Sequence, residues 1–231
     1  MRKIPLFLLI PAILFMVCTL SRLSAAQAEN TQSPKPLPNI LIIGDSISME
    51  YTPYVAEMLK NEAAVQHNKG NAEHTDTGLK KLDQWLGTTK WDVIHFNWGL
   101  WDLCYRNPAS KVQGNRDKVT GTLTTTLEQY RKNLDQLVLR LKKTGSTLIW
   151  AQTTVVPEGE AGRIVGDDKK YNEVAATVMK KHGIMIDDLY ALTKKFPSDL
   201  FDGPGNVHYT KDGYKKIAAQ VTDTIRTALK K

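Results

Sequence analysis

Asn39-Ile40-Leu41-Ile42-Ile43-Gly44-Asp45-Ser46-Ile47-Ser48-Met49-Glu50 is the stretch on which the reading of this chain turns. Ile40 to Ile43 is an unbroken apolar run, too short for a helix and rich in β-branched side chains. Such a run predicts a strand buried on both faces, as in parallel sheets. Gly44 ends it, and a polar trio leads into a helical pattern. Ser46 is thereby placed at the carboxyl end of a central strand and near the start of a helix, where backbone N–H groups point outward and favour negative charge. Two readings fit this stretch alone. Ser46 is a nucleophile whose own N–H helps hold an oxyanion, or Ser46 or Ser48 merely caps the helix.

Upstream of this stretch, Arg2 and Lys3 precede an apolar run from Ile4 to Leu20, and Ala26-Gln27-Ala28 supplies a small-residue cleavage pattern. Residues 1–28 therefore read as a secretory signal, and Glu29 to Pro38, with three prolines among polar residues, as a flexible leader. Pro11 within the apolar run favours cleavage over a retained anchor, and Val17 before Cys18 disfavours a lipid-modified cysteine. The expected protein is exported, periplasmic or extracellular, without stable membrane insertion after cleavage. Removing Arg2, Lys3 and Arg22 with the signal lowers the formal charge from +7 to +4. That mild excess, spread as lysine pairs over helical stretches, excludes a nucleic-acid partner as the expectation and reads as a solvated face. Cys104 is then the one remaining cysteine, so the core must hold the fold without an internal disulfide. Residues 39–231 are long enough for one domain.

Downstream, strand-like and helix-like segments alternate. Helical spacing resumes around Tyr54–Asn61, and Ala63–Gln66 reads as a second strand before the polar turn His67–Asn71. Leu79, Leu82 and Leu86 form one helical face ended by Gly87. Val93 to Phe96 is a third strand, and Arg106 to Thr122 a surface loop or lid. Tyr130, Leu134, Leu137, Val138 and Leu141 mark a helix closed by Gly145. Leu148 to Ala151 is a strand, Asp168 to Lys181 a helix, Ile184 to Ile186 a last strand, and a final helix begins near Lys211. Five strands alternating with five or six helices predict one doubly wound α/β domain. Its site belongs at the carboxyl ends of the strands, near the switch in strand order.

A nucleophilic serine needs a base within hydrogen-bond reach. Of the five histidines, His95 lies inside a strand, His182 suits a helix C-terminus, and His67 and His74 flank the second strand-end turn. His208 follows the turn Gly203–Asn206 and stands just ahead of the final helix, where it is either an exposed loop residue or the base.

Four blocks occur in order over these elements. They are Gly44-Asp45-Ser46 after the first strand, a polar turn containing Gly70 after the second, Gly99-Leu100-Trp101-Asp102 after the third, and Val207-His208-Tyr209-Thr210 before the last helix. In this the chain resembles the SGNH (GDSL-type) hydrolases, from about Asn39 to Leu229. The resemblance implies a three-layer α/β/α sandwich with a five-stranded parallel sheet, flavodoxin-like, and a serine ester hydrolase that works through an acyl-enzyme with no cofactor or metal. By the same resemblance Ser46 matches the nucleophile, His208 the base and Gly70 the oxyanion glycine. The family's oxyanion asparagine falls at Trp101, so the pattern breaks there. Asn97 at the strand end is the candidate to supply the missing amide, with a structural role as its alternative. The aspartate that usually stands three residues before the histidine is Gly205 here. Neither Asp202 nor Asn206 matches that spacing, so the ring is expected to be held by a backbone carbonyl in a Ser46–His208 dyad.

Other chemistries are poorly served. Ser48 replaces the second glycine of a Gly-x-Ser-x-Gly elbow, no phosphate loop follows Gly44, and no His or Cys cluster has metal spacing. Trp98 and Trp101, with Tyr105, form a candidate sugar-stacking wall or are core residues. Arg163 reads as a solvated arginine, or as a ligand for an acidic substrate group. The expected substrate is a small-molecule or polysaccharide ester, with O-acetylated carbohydrate favoured. A lipid acylhydrolase, a degenerate glycan binder and a flavodoxin-like scaffold with a chance motif are the alternatives.

Overall fold

The computed structural model describes residues 36–230. The expected signal segment and most of the leader lie outside the described residues. Seven strands and six α-helices follow in chain order: β1 (Asn39–Ile43), α1 (Ser46–Met58), β2 (Ala64–His67), α2 (Thr75–Leu86), β3 (Val93–Phe96), β4 (Tyr105–Arg106), β5 (Thr122–Leu123), α3 (Leu127–Lys142), β6 (Thr147–Ala151), α4 (Asp167–His182), β7 (Met185–Asp187), α5 (Leu189–Thr193) and α6 (Lys211–Leu229).

The main sheet has the order β2-β1-β3-β6-β7, and every pairing in it is parallel. This is the expected five-stranded α/β arrangement. The chain steps outward from β1 to β2 and then returns past β1 to β3. With right-handed crossovers, that reversal puts α1 on one face of the sheet and α2, α3 and α4 on the other. α1 packs on α6, and α2, α3 and α4 pack in a row. The strand order therefore switches beside β1, whose carboxyl end carries Gly44-Asp45-Ser46. Ile40, Ile42 and Ile43 are fully buried, as a strand covered on both faces requires. Leu134, Leu137, Val138 and Leu141 of α3 and Ile217, Val221 and Ile225 of α6 are fully buried as well. Each such side chain contributes on the order of 1.5–3 kcal/mol.

α1 begins at Ser46, where the sequence places a helix start, and Asp45 caps it by accepting the Ile47 N–H at 3.0 Å. Pro53 lies inside that helix, which blurs its sequence signature. The excursion after Arg106 is folded rather than plain loop. β4 and β5 pair as a small antiparallel hairpin around a short 3₁₀ turn at Gln113–Asn115. Among the described residues, no helix is long and apolar enough to cross a membrane.

Candidate active site

Ser46 is the first residue of α1, so its N–H has no partner within the helix and faces outward from the N-terminus. Its Oγ lies 2.9 Å from Nε2 of His208, inside the range a general base requires. The two residues are 162 positions apart in sequence. Parallel topology puts the first at the end of β1, and the turn before α6 delivers the second.

The ring of His208 is held by a side chain, not by the backbone carbonyl expected from sequence. Asn206 Oδ1 accepts from His208 Nδ1 at 2.9 Å and from the His208 backbone N–H at 3.1 Å. The Asn206 amide orientation is fixed in turn, because Nδ2 donates to the Asp202 carbonyl at 2.8 Å. With the amide oxygen facing the ring, neutral His208 must carry its proton on Nδ1. Nε2 then offers its lone pair to Ser46. A pairing of Phe201 with Tyr209 closes the hairpin that contains Asn206.

Gly205 explains why an aspartate cannot occupy the family position. Its φ is +65°, and a Cβ there would stand 2.6 Å from the Gly159 carbonyl oxygen. The backbone left of β-carbon reach lets the loop after β6 press against the turn that carries the base.

The β1–α1 turn is clamped to the β2–α2 loop. Gly44 N–H donates to Asn68 Oδ1 at 2.9 Å, and Ala72 N–H donates to the Gly44 carbonyl at 3.0 Å. Asn68 Nδ2 also donates to the Gly70 carbonyl at 2.9 Å, holding Gly70 at φ +76°. These bonds fasten the Gly70 loop alongside Ser46. Asn97 does not supply the missing oxyanion amide. Its Nδ2 donates to the Ala151 carbonyl at 2.7 Å and to Thr153 Oγ1 at 3.4 Å, tying the end of β3 to the end of β6. A second serine–histidine pair sits two residues along α1. Ser48 Oγ is 2.7 Å from His67 Nε2 and 2.8 Å from the Asp45 carbonyl, and it braces the same two loops from below.

Burial pushes the His208 imidazolium below its ordinary pKa of 6.5. The nearby Asp45 carboxylate works against that shift, whereas Arg163 and Arg116 reinforce it. A neutral ring at neutral pH is the form a general base needs. Asp45 is itself buried, and loss of solvation raises its carboxyl above the usual range. Beside His208, a groove of about 490 Å³ is lined by Glu50, Tyr54, Asp202, Lys211 and Tyr214.

Of the two readings of the aromatic cluster, Trp98 follows the core one. Trp98 is fully buried, with Nε1 donating to the Ala72 carbonyl at 3.2 Å, so it is a core residue. Trp101 and Tyr105 are partly exposed, and the Arg106 guanidinium lies 4.1 Å from the Trp101 ring centroid. Arg163 is not solvated. Only 4 % of it is exposed, and it bonds the Leu100 carbonyl and Glu160. His95 is a buried strand residue 3.1 Å from Asp187, and His182 meets Asp135 at 2.7 Å, so neither belongs to the site. The residue that sequence reasoning set aside is Asn206. Its signal was present: an Asx side chain two residues ahead of a histidine reaches that residue's own N–H. Among the described residues, no group of three or more His, Cys, Asp or Glu side chains is placed to hold a metal ion.

Comparison with known proteins identifies the family and the fold. The profile of the GDSL-like Lipase/Acylhydrolase family matches residues 42–216. No curated protein sequence matches. Among solved structures, the chain is similar to a lipase/acylhydrolase from Enterococcus faecalis, with TM-score 0.67 and 20% identity over 83% of this chain and 96% of that one. It is similar to the acetyl xylan esterase AlAXEase, with TM-score 0.65 and 13% identity over 81% and 99% of the two chains. An acetylxylan esterase from Geobacillus stearothermophilus gives TM-score 0.64 and 17% identity over 81% and 94%.

Proposed function

This chain belongs to the GDSL-like lipase/acylhydrolase family, an ester-hydrolysing group, and from that premise we propose that it is an exported serine esterase for O-acetylated carbohydrate or another small acyl ester. The observation that carries the mechanism is the 2.9 Å contact between Ser46 Oγ and His208 Nε2, with Asn206 fixing the tautomer. His208 takes the proton of Ser46 as Oγ attacks the ester carbonyl. The tetrahedral oxyanion forms at the amino end of α1, where the Ser46 and Gly70 N–H groups stabilise it. Collapse of the intermediate expels the alcohol, which receives the proton from His208. Water, deprotonated by the same ring, then attacks the acyl-enzyme and releases the acid.

Charge develops on His208 during both steps. A neutral amide stabilises the imidazolium less than a carboxylate does, so Asn206 serves chiefly to hold the ring and its tautomer. Export rests on the signal-like residues 1–28. The carbohydrate assignment draws on the open groove beside His208 and on the acetylxylan esterases that share the fold.

The test is direct. Wild-type protein releases acetate from acetylated xylo-oligosaccharides and 4-nitrophenyl acetate, and a fluorophosphonate labels Ser46. Ser46→Ala abolishes both activities without loss of fold, a rate drop of about 10³-fold or more. Full activity in Ser46→Ala would overturn the mechanism. Binding of glycan without turnover in the wild type would favour a degenerate binder.

A further inference from the structure

The excursion after β4 and the loop after β6 meet in a charge cluster that the hydrolytic mechanism does not use. Glu160 is fully buried, and one of its oxygens serves two arginines. Oε1 accepts from Arg116 Nη1 at 2.7 Å and from Arg163 Nη1 at 2.9 Å, while Oε2 accepts the Gly162 N–H at 2.7 Å. Arg163 sends Nε to the Leu100 carbonyl at 2.7 Å, and Arg116 sends Nε to the Gln113 carbonyl at 3.0 Å. Among the described residues, neither Nη2 meets an acceptor. Arg106 stands near both, held over the Trp101 ring.

A buried carboxylate needs one guanidinium to be neutralised, and a structural pin would stop there. Two cations share one oxygen here, Arg163 buried and Arg116 21% exposed at the rim, so a net positive charge stands where a ligand can reach it, with guanidinium edges unspent. Asp45 is a further anion within the reach of Arg163, and it already caps α1. The cluster also adjoins the turn that carries the base. The Glu160 loop presses on the turn before His208, where Gly159 meets Gly205. Arginine edges of this kind suit a carboxylate better than an ammonium or a neutral hydroxyl.

We propose that Arg116 and Arg163, set by Glu160, form an anion-binding subsite beside the turn that carries His208, and that the alcohol part of the ester carries a carboxylate, as an O-acetylated uronic acid residue does. This rests on the esterase reading of Ser46 and His208 and deepens it. Two substrates identical except for charge decide the matter: an O-acetylated methyl galacturonoside and its neutral 6-methyl ester, with 4-nitrophenyl acetate as a third, unrelated ester.

The wild type is expected to favour the acid over its methyl ester by about tenfold or more in kcat/KM, mainly through KM. That preference should shrink as salt is raised. Arg116→Gln and Arg163→Gln should each bring the ratio towards one, and Arg116→Lys should restore part of it. Should Arg163→Gln fail to fold, Arg116→Gln and the wild-type ratio still decide. Hydrolysis of all three esters with no preference for the acid overturns the subsite and leaves the esterase standing. An equal loss on acid and methyl ester in the arginine variants assigns them a structural part and also overturns it. No hydrolysis of any ester removes the esterase reading and the subsite with it.

Discussion

Replacing Asn206 tests the most specific feature of the site. Asn206→Ala removes the acceptor at 2.9 Å from His208 Nδ1, a bond that strengthens as the ring takes the serine proton. A hydrogen bond to a charged group contributes about 1.5–3 kcal/mol, against about 1 for a neutral pair. The difference, about 0.5–2 kcal/mol, is what the transition state gains, and at about 1.4 kcal/mol per decade its loss lowers kcat roughly two- to thirtyfold. Asn206→Asp provides the contrast. It sets a carboxylate against the imidazolium, which at an effective dielectric of about 20 and roughly 4 Å is an interaction of up to about 4 kcal/mol. The His208 pKa should rise by about one to three units. The wild-type acid limb lies below the ordinary histidine value, because burial lowers the ring. In Asn206→Asp that limb moves to higher pH, and activity at acidic pH falls. Asp202 opposes part of the gain, since its carboxylate lies 3.4 Å from the position of Asn206 Nδ2. The assay is kcat/KM for 4-nitrophenyl acetate from about pH 4 to about pH 9. A loss under about twofold in Asn206→Ala, together with an unmoved acid limb in Asn206→Asp, would refute the orienting role.

Two further outcomes follow from the packing. Gly205→Asp, which restores the family's residue at that position, should destabilise the fold by about 1–3 kcal/mol rather than improve catalysis; an unchanged Tm with higher activity would contradict the close approach to Gly159. Asp102 is buried at the start of α2, where Oδ1 accepts the Thr75 N–H and hydroxyl at 3.0 and 2.6 Å, and burial raises its pKa from 3.8 to about 7. The folded chain keeps this proton after the unfolded chain has lost it, so stability is full below about pH 4 and declines as pH rises towards 7, by up to about 4 kcal/mol. Asp102→Asn should flatten that decline in urea titrations at several pH values, and an equally steep decline in the variant would show that another group causes it.

What sequence could reveal divides along the range of the interactions. β1, β3 and β6 were legible because strands buried on both faces must be apolar throughout, and α3 because its buried face repeats at helical spacing. Ser46 and His208 stood out by their places at element junctions. Trp98 was illegible because its burial depends on a distant glycine. A Cβ at Gly78 would come within 2.7 Å of the Trp98 ring, and no local pattern announces that contact. Arg163 was illegible for the same reason: Glu160 and the Leu100 carbonyl desolvate it through loops whose packing no periodicity encodes. Asn97 misled because a strand-end amide near the site serves the ladder of carbonyls beside it as readily as a reacting atom. Asn206 lies within reach of a turn argument, but its two-residue offset from His208 is not that of the family aspartate.

The distance along the chain between hydroxyl and imidazole carries a consequence for biogenesis. A nascent chain that has reached only as far as α4 already owns its nucleophile but has nothing to deprotonate it. Because α6 packs on α1, a helix synthesised long after α1 completes the layer that supports it. Hydrolytic power should therefore emerge abruptly when the whole domain closes. In refolding, regained turnover would trail recovery of helical signal, and C-terminal truncation before Asn206 would give an inert protein however well its sheet had formed.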